Sequence, residues 1–490
     1  MSARPDIVLV KPGSQRALYG ELSAFDLTAI EPPLWGALLA GFLRDKGYSV
    51  ILLDAEVEGW SYEETAEKIN DANPVLAAVL VSGTNPSAST MNMTGAGKII
   101  TSIRALSPDI KTLLFGLHPS ALPERTMEEE TDVDFVCQGE GIYTLPPLIE
   151  ALKTKEEKLD DIKGLWRRED GRVLFSENAP LLEDLDELPR PAWDLLPMDR
   201  YRAHNWHCFG DIDNRSPYGV LYTNLGCPFK CSFCCINALF GKNMIRYRGI
   251  DAVMDEIDFL VTQYGIKHIK IIDEMFALNE ERVIKLCDRI ISRKYDLNFW
   301  AYARVDTVSE PMLAKMKEAG INWLAYGFES GSKKVLKDAT KGYKLDRLAE
   351  VVEMNKKLDI NICSNFIFGL PEDDMESMEE TLKLMIEING EWANIYSAMA
   401  YPGSKLFDEA IKFGWPLPES WQAYSQYSYD SLPLPTKHLT SGQVLAFSDH
   451  AFIEYYKNPA YLKMIEKKFG SDTLRHIKEM SSKRLKRKNT

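Results

Sequence analysis

Cys227, Cys231 and Cys234 stand in Gly226-Cys-Pro-Phe-Lys-Cys-Ser-Phe-Cys234, a Cys-x3-Cys-x2-Cys spacing. The loop follows the apolar run Gly219-Val-Leu-Tyr-Thr223, which reads as a strand. Three thiolates on one loop can hold three corners of an iron–sulfur cube. The fourth iron then lacks a protein ligand, and an open iron is a place for chemistry rather than a staple. A structural zinc site is a second reading, but it calls for four ligands, usually as two separated pairs. No second Cys-x2-Cys pair exists here. A ferredoxin-type site with Cys235 as fourth ligand is a third. Adjacent residues do not readily reach two corners of one cube, and ferredoxin spacings differ. Three buried free thiols form the plainest reading, and the spacing makes it the least natural one.

The chain of 490 residues is too long for one compact core, so two or three domains are expected. A net charge of -14 argues against a nucleic-acid binder driven by phosphate neutralisation. The basic tail from Lys483 to Lys488 reads as a solvated, frayed end. No signal peptide is expected after MSARPD, and the longest apolar run, Pro32 to Leu43, falls short of the ~20 residues of a membrane helix. Eight cysteines, four of them between Cys227 and Cys235, do not resemble a disulfide framework. A reducing, cytoplasmic compartment is expected, with no membrane partner, and an exposed cluster would make the protein oxygen-sensitive.

Strand-like and helical runs alternate from residue 1 to about 155, which predicts an α/β domain built on a doubly wound parallel sheet. In such sheets ligands bind beyond the carboxyl ends of the strands. Those ends carry Ser82, Thr84, Gly116, His118, Gly139, Glu140 and Gly141. Residues 156–215 read as a connector with a hairpin across Asp170-Gly171. From 216 to 410 six further strand–helix units predict a partial parallel barrel, with the Cys loop at the end of its first strand. Residues 411–490 read as a small helical region.

The Cys spacing, the preceding strand and Phe233 resemble the radical S-adenosylmethionine (SAM) enzymes. That resemblance implies a 4Fe-4S cluster on Cys227, Cys231 and Cys234, with SAM chelating the open iron through its amino and carboxylate groups. It places Asp273 and Glu274 at the SAM amino group, where two acids suit an ammonium; a helix-start acid pair is the alternative. It places Glu329, Ser330 and Gly369 at further SAM-facing turns, and Arg304 where a cation could meet the carboxylate, a surface ion pair being equally open.

The first domain is similar to the cobalamin-binding domains that precede many such enzymes. The resemblance rests on Glu31-Pro-Pro-Leu-Trp-Gly36, Gly47-Tyr-Ser-Val50, Asp54, Phe115-Gly-Leu-His118-Pro119 and Gly139-Glu-Gly141. It implies cobalamin contacts from Ser82, Thr84, Gly116, His118, Gly139, Glu140 and Gly141. The Asp-x-His-x-x-Gly motif is absent, so no lower axial histidine is expected on cobalt.

Together the resemblances imply a cobalamin-dependent radical SAM enzyme. The expected activity is methyl transfer to an unactivated carbon or phosphorus of a small molecule, through a 5′-deoxyadenosyl radical and methylcobalamin. Cyclisation or oxidation without methyl transfer, and a non-catalytic cobalamin-binding protein, are the alternatives. A small-molecule substrate and an external electron donor of flavodoxin or ferredoxin type are the expected partners.

Overall fold

The computed structural model describes residues 4–13, 18–19, 28–83, 89–154 and 159–490. The first sheet contains β1 (Ile7–Lys11), β2 (Val50–Asp54), β3 (Leu76–Val81), β4 (Lys111–Gly116), β5 (Phe135–Cys137), β6 (Leu165–Glu169) and β7 (Arg172–Phe175). Their order is β2-β1-β3-β4-β5-β6-β7, the first five parallel and the last two antiparallel. Every residue of β3 is buried. Such an unbroken apolar strand suits a parallel sheet covered on both faces. The covering helices include α1 (Leu34–Asp45), α2 (Tyr62–Ala72) and α3 (Met93–Leu106). Ser61 starts α2 through a capping box with Glu64. The connector hairpin β6–β7 turns through Asp170 (φ 48°) and Gly171 (φ 73°) and extends the first sheet at its edge.

The order β2-β1-β3 puts the topological switch point between β1 and β3. In such a sheet the ligand crevice lies outside the carboxyl ends of those two strands.

The second sheet is parallel and runs in chain order through β8 (Tyr218–Leu221), β11 (His268–Ile271), β12 (Asn298–Ala303), β13 (Ile321–Glu329), β14 (Asn361–Phe368) and β15 (Trp392–Ser397). β8 and β15 are its two edges, which makes it a partial barrel. Between β8 and β11, β9 (Asn224–Leu225) and β10 (Arg246–Tyr247) pair antiparallel, and the chain between them is the Cys loop. Side chains alternate along each strand. Trp300 and Tyr302 of β12, Cys363 and Asn365 of β14, and Asn394 and Tyr396 of β15 therefore share the cavity side.

The C-terminal region adds α4 (Ser441–Tyr456) and α5 (Pro459–Ser482), the latter kinked at Gly470 (φ 87°). Three buried tyrosines fasten it to the start of β15. The hydroxyls of Tyr455, Tyr456 and Tyr461 donate to the carbonyls of Gly390 (2.5 Å), Ala393 (2.7 Å) and Glu391 (3.2 Å). The basic tail departs from the expectation of a frayed end. Arg487 grips Asp449 at 2.8 and 3.1 Å, and the Lys488 amide donates to the Tyr429 carbonyl at 2.8 Å. Charge-assisted bonds of this geometry hold the tail down.

Candidate active site

The Cys loop overhangs the carboxyl ends of the second sheet, and Asp273 builds its entry. Asp273 Oδ1 accepts from the backbone amides of Thr223 (2.6 Å) and Asn224 (3.3 Å). Its Oδ2 accepts from the Thr223 hydroxyl and from Asn224 Nδ2 (2.6 Å). Both oxygens are spent inside the protein and Asp273 is fully buried away from the cavity. The expected contact of Asp273 with the SAM amino group is thereby corrected, because its carboxylate positions the loop. Glu274 does face the cavity. It accepts from the Gly226 amide at 2.9 Å, and burial raises its carboxyl to about 7.

A cavity of about 250 Å³ lies under the loop, lined by Cys227, Cys231, Phe233, Cys234, Glu274 and Arg304, with Glu329 and Lys341 across from them. Burial pushes the Cys234 thiol up to about 12 and raises Cys227. The Arg304 guanidinium supplies a counter-charge, 3.7 Å from Cys231 Sγ and stacked 3.7 Å over the Phe229 ring. Arg304 also holds Asp306 through two bonds of 2.9 Å and donates to the Lys341 carbonyl at 2.6 Å. Most of its donors are thus committed.

Glu329 ends β13 with φ at 59°, a left-handed conformation costly for a residue with a side chain. Its Oε1 accepts from Lys341 Nζ at 2.6 Å. Lys341 was not legible as a site residue; twelve positions separate it from Glu329, and only the turn after β13 brings it back. Two expected residues leave the site. Ser330 is fully buried, its hydroxyl on Thr381 Oγ1 at 3.1 Å. Gly369 packs against α4, where a Cβ would meet Val444 at 2.3 Å. Both shape the turns behind the cavity and do not line it.

A second cavity, of about 340 Å³, opens at the switch point of the first sheet. Gly83, Met91 and Asn92 line it from beyond β3, and Trp206, Trp300 and Trp392 from the connector and barrel. The two cavities share Tyr302, Ala325, Asn365, Tyr396, Ser397, Tyr401 and Gln426, so they adjoin across these side chains. Sequence periodicity alone does not mark these residues, since their alternation is equally that of a packed core.

The residues expected at cobalamin fare differently. Ser82 holds the end of β3 by accepting from Asn92 Nδ2 at 2.8 Å, and Thr84 lies outside the described residues. Gly116 has φ at 120°, and a Cβ there would sit 2.4 Å from the Val81 carbonyl, so only glycine lets β4 approach β3. Gly139 and Gly141 adopt φ of 100° and 82° in the turn after β5. His118 is buried, with Nδ1 3.1 Å from Thr90 Oγ1 and its ring edge-on to Trp421 at 4.5 Å. Burial lowers it to about 3, and it reaches neither cavity. Glu140 is tied to Arg246 at 2.5 and 3.3 Å and to the Leu182 amide at 2.9 Å. His118 and Glu140 are corrected from cofactor contacts to packing and docking groups.

The B12 binding domain family matches residues 24–149, and the Radical SAM superfamily matches residues 221–385. An uncharacterized methyltransferase of Pyrococcus horikoshii is 32% identical over 433 residues, 88% of this chain and 89% of that protein. The chain belongs to the cobalamin-dependent radical SAM enzymes. An anaerobic magnesium-protoporphyrin IX monomethyl ester cyclase of Rubrivivax gelatinosus is 28% identical over 384 residues, 77% of this chain and 66% of its own. The fold is that of the radical SAM methyltransferase TsrM from Kitasatospora setae, a structure with cobalamin and a [4Fe-4S] cluster bound. The TM-score is 0.70 at 16% identity, over 97% of this chain and 99% of that one.

Cluster, SAM and cobalamin are the cofactors of this radical SAM family, and the donor sets fit them. Among the described residues no group of three or more His, Cys, Asp or Glu is placed to hold a single metal ion. Cys227, Cys231 and Cys234 line one cavity, three thiols from a single loop, as a cluster with three protein ligands requires. Paired acids and bases face the space beside it, as a zwitterion such as SAM requires. The apolar, tryptophan-walled cavity at the switch point offers cobalamin a broad face. No helix among the described residues is long and apolar enough to cross a membrane.

Proposed function

We propose that this enzyme transfers a methyl group from SAM to an unactivated carbon or phosphorus of a small molecule. The observation that carries the reading is a pair of adjoining cavities, one under the Cys loop and one at the switch point of the first sheet, with Tyr302 and Tyr396 lining both. Loaded, the cluster and SAM supply a hydrogen-abstracting radical, and cobalamin supplies the methyl group.

The protein's own part is placement. Cys227, Cys231 and Cys234 hold the cluster, and Glu274 accepts the SAM ammonium. Tyr302, Asn365 and Tyr396 form the neck in which the reacting atom of the substrate sits. Gln426 keeps that neck in shape, since it both accepts from and donates to the Ser397 backbone at 3.0 and 2.9 Å. Aromatic walls exclude water from the neck, which strengthens the electrostatic contacts inside it. The reducing electron comes from an external donor of flavodoxin or ferredoxin type, and the working compartment is the cytoplasm.

The P. horikoshii relative, a methyltransferase by name, supports methyl transfer. The cyclase relative supports a second reading, ring formation without methyl transfer. Anaerobic incubation with methyl-labelled SAM and added cobalamin separates the two. Methyl transfer predicts label in the protein-bound cobalamin fraction; release of 5′-deoxyadenosine with no label in that fraction overturns it.

A further inference from the structure

We propose that the basic C-terminal tail receives the anionic end of the substrate, a molecule with a flat apolar body and a carboxylate or phosphate at one end. The inference deepens the methyl-transfer reading and rests on it. The tail follows α5 and borders the cavity of about 340 Å³ at the switch point. Among the described residues lining that cavity, Lys270, Lys483, Arg484 and Arg487 are cations and Asp449 is the one acid. In a chain of net charge -14, such a bias gathers anions at this mouth. Lys270 is paired with Glu31 at 3.0 Å, and Arg487 is spent on Asp449. Arg484 has no acidic partner among the described residues. Its Nη1 donates to the carbonyls of Ser481 and Lys483 at 2.9 and 3.0 Å. The rest of its planar fork is left to a ligand, and that fork suits an oxyanion.

The seat of the tail is built into the fold. Ordering a chain end costs conformational entropy, and here several contacts oppose that cost. Asn489 Nδ2 donates to the carbonyls of Asp430 and Ser431 at 3.2 and 2.9 Å. Gly442 of α4 leaves room for the tail, because a Cβ there would lie 2.7 Å from the Asn489 carbonyl oxygen. Arg487 also donates to the Gln426 carbonyl at 2.7 Å, and the Gln426 side chain holds the Ser397 backbone in the neck. One residue therefore joins the basic rim to the place of reaction. Gly83, Met91 and Asn92 border the cavity on the first-domain side, which is left to cobalamin. On the barrel side Trp300 and Trp392 give flat walls. Asn365 and Asn394 bond each other there at 2.9 Å, so that wall offers little to a polar body. A flat apolar molecule with its anion at the tail matches both surfaces.

The test uses three probes, naphthylacetate, naphthyl phosphate and the neutral naphthylacetamide, in equilibrium dialysis against the full chain loaded with cluster and cobalamin. The wild type should bind one or both anions about tenfold more tightly than the amide, the worth of one charge-assisted hydrogen bond. Arg484→Met should lose that preference and bind the amide as before, and Arg484→Lys should keep part of it. Should the methionine variant fail to accumulate, Arg484→Gln carries the same comparison. Equal binding of anions and amide by the wild type overturns the proposal. An anion preference that survives in Arg484→Met, or binding of none of the probes, overturns it too. Cobalt is counted against iron in each variant. A fall in cobalt in Arg484→Met means that the rim holds the phosphate of cobalamin, and it overturns the substrate assignment. An anion preference lost in Arg484→Met, with no methyl label on cobalamin in the wild type, overturns the methyl-transfer reading alone.

Discussion

Arg246 Nη2 lies 2.5 Å from Glu140 Oε1, with the two side chains 5% and 3% exposed. Glu140 belongs to the turn after β5, and Arg246 to the strand that closes the Cys loop. One buried ion pair therefore ties the ligand edge of the first sheet to the loop that holds the cluster.

Removing one partner leaves the other charge buried and uncompensated. Glu140→Ala is expected to lose about 3–5 kcal/mol of stability. The double replacement Glu140→Leu with Arg246→Met should lose much less. Urea unfolding followed by tryptophan fluorescence compares the three proteins. Equal losses for the single and double variants would contradict the docking role.

Cys231→Ala removes one iron corner and the thiol beside Arg304. It is expected to abolish 5′-deoxyadenosine formation and lower the bound iron. Wild-type SAM turnover in that variant would sink the cluster assignment.

Gly327→Ala places a methyl group in the space of the Glu329–Lys341 pair. The backbone there is not left-handed, so the fold should survive with an unchanged circular dichroism spectrum. SAM affinity should fall at least tenfold, about 1.4 kcal/mol, measured by equilibrium dialysis.

His118 titrates at about 3 in the folded protein, against an ordinary value of 6.5. Between those values the unfolded chain binds a proton that the native state refuses, so the stability it confers falls as the pH drops below 6.5. The slope is about 1.4 kcal/mol per pH unit, or about 2 kcal/mol between pH 6.5 and pH 5. His118→Phe should remove that share, seen as a smaller difference between urea midpoints at pH 7 and pH 5.

The Cys triad was legible because three thiols at fixed short spacing have few other uses. The strands were legible because a sheet covered on both faces needs unbroken apolar runs such as Leu76–Val81. The acids were harder. Asp273 and Glu274 are neighbours, yet one is consumed by Thr223 and Asn224 while the other faces the cavity. Only the tertiary hydrogen bonds tell them apart. Ser330, Gly369, His118 and Glu140 stand at strand ends, where ligands are expected, but their partners are Thr381, Val444, Trp421 and Arg246. Each partner comes from a distant part of the chain. Lys341 went unread for the same reason, since its partner Glu329 reaches it only through the turn beyond β13.

Cluster and cobalamin are proposed to occupy the two adjoining cavities. The most direct test of that placement is metal content. The protein is purified without oxygen, its cluster rebuilt, hydroxocobalamin added and excess removed, and cobalt is then counted against iron. About four irons and about one cobalt per chain are expected, with iron but not cobalt falling in Cys231→Ala. Four irons with no retained cobalt would contradict it.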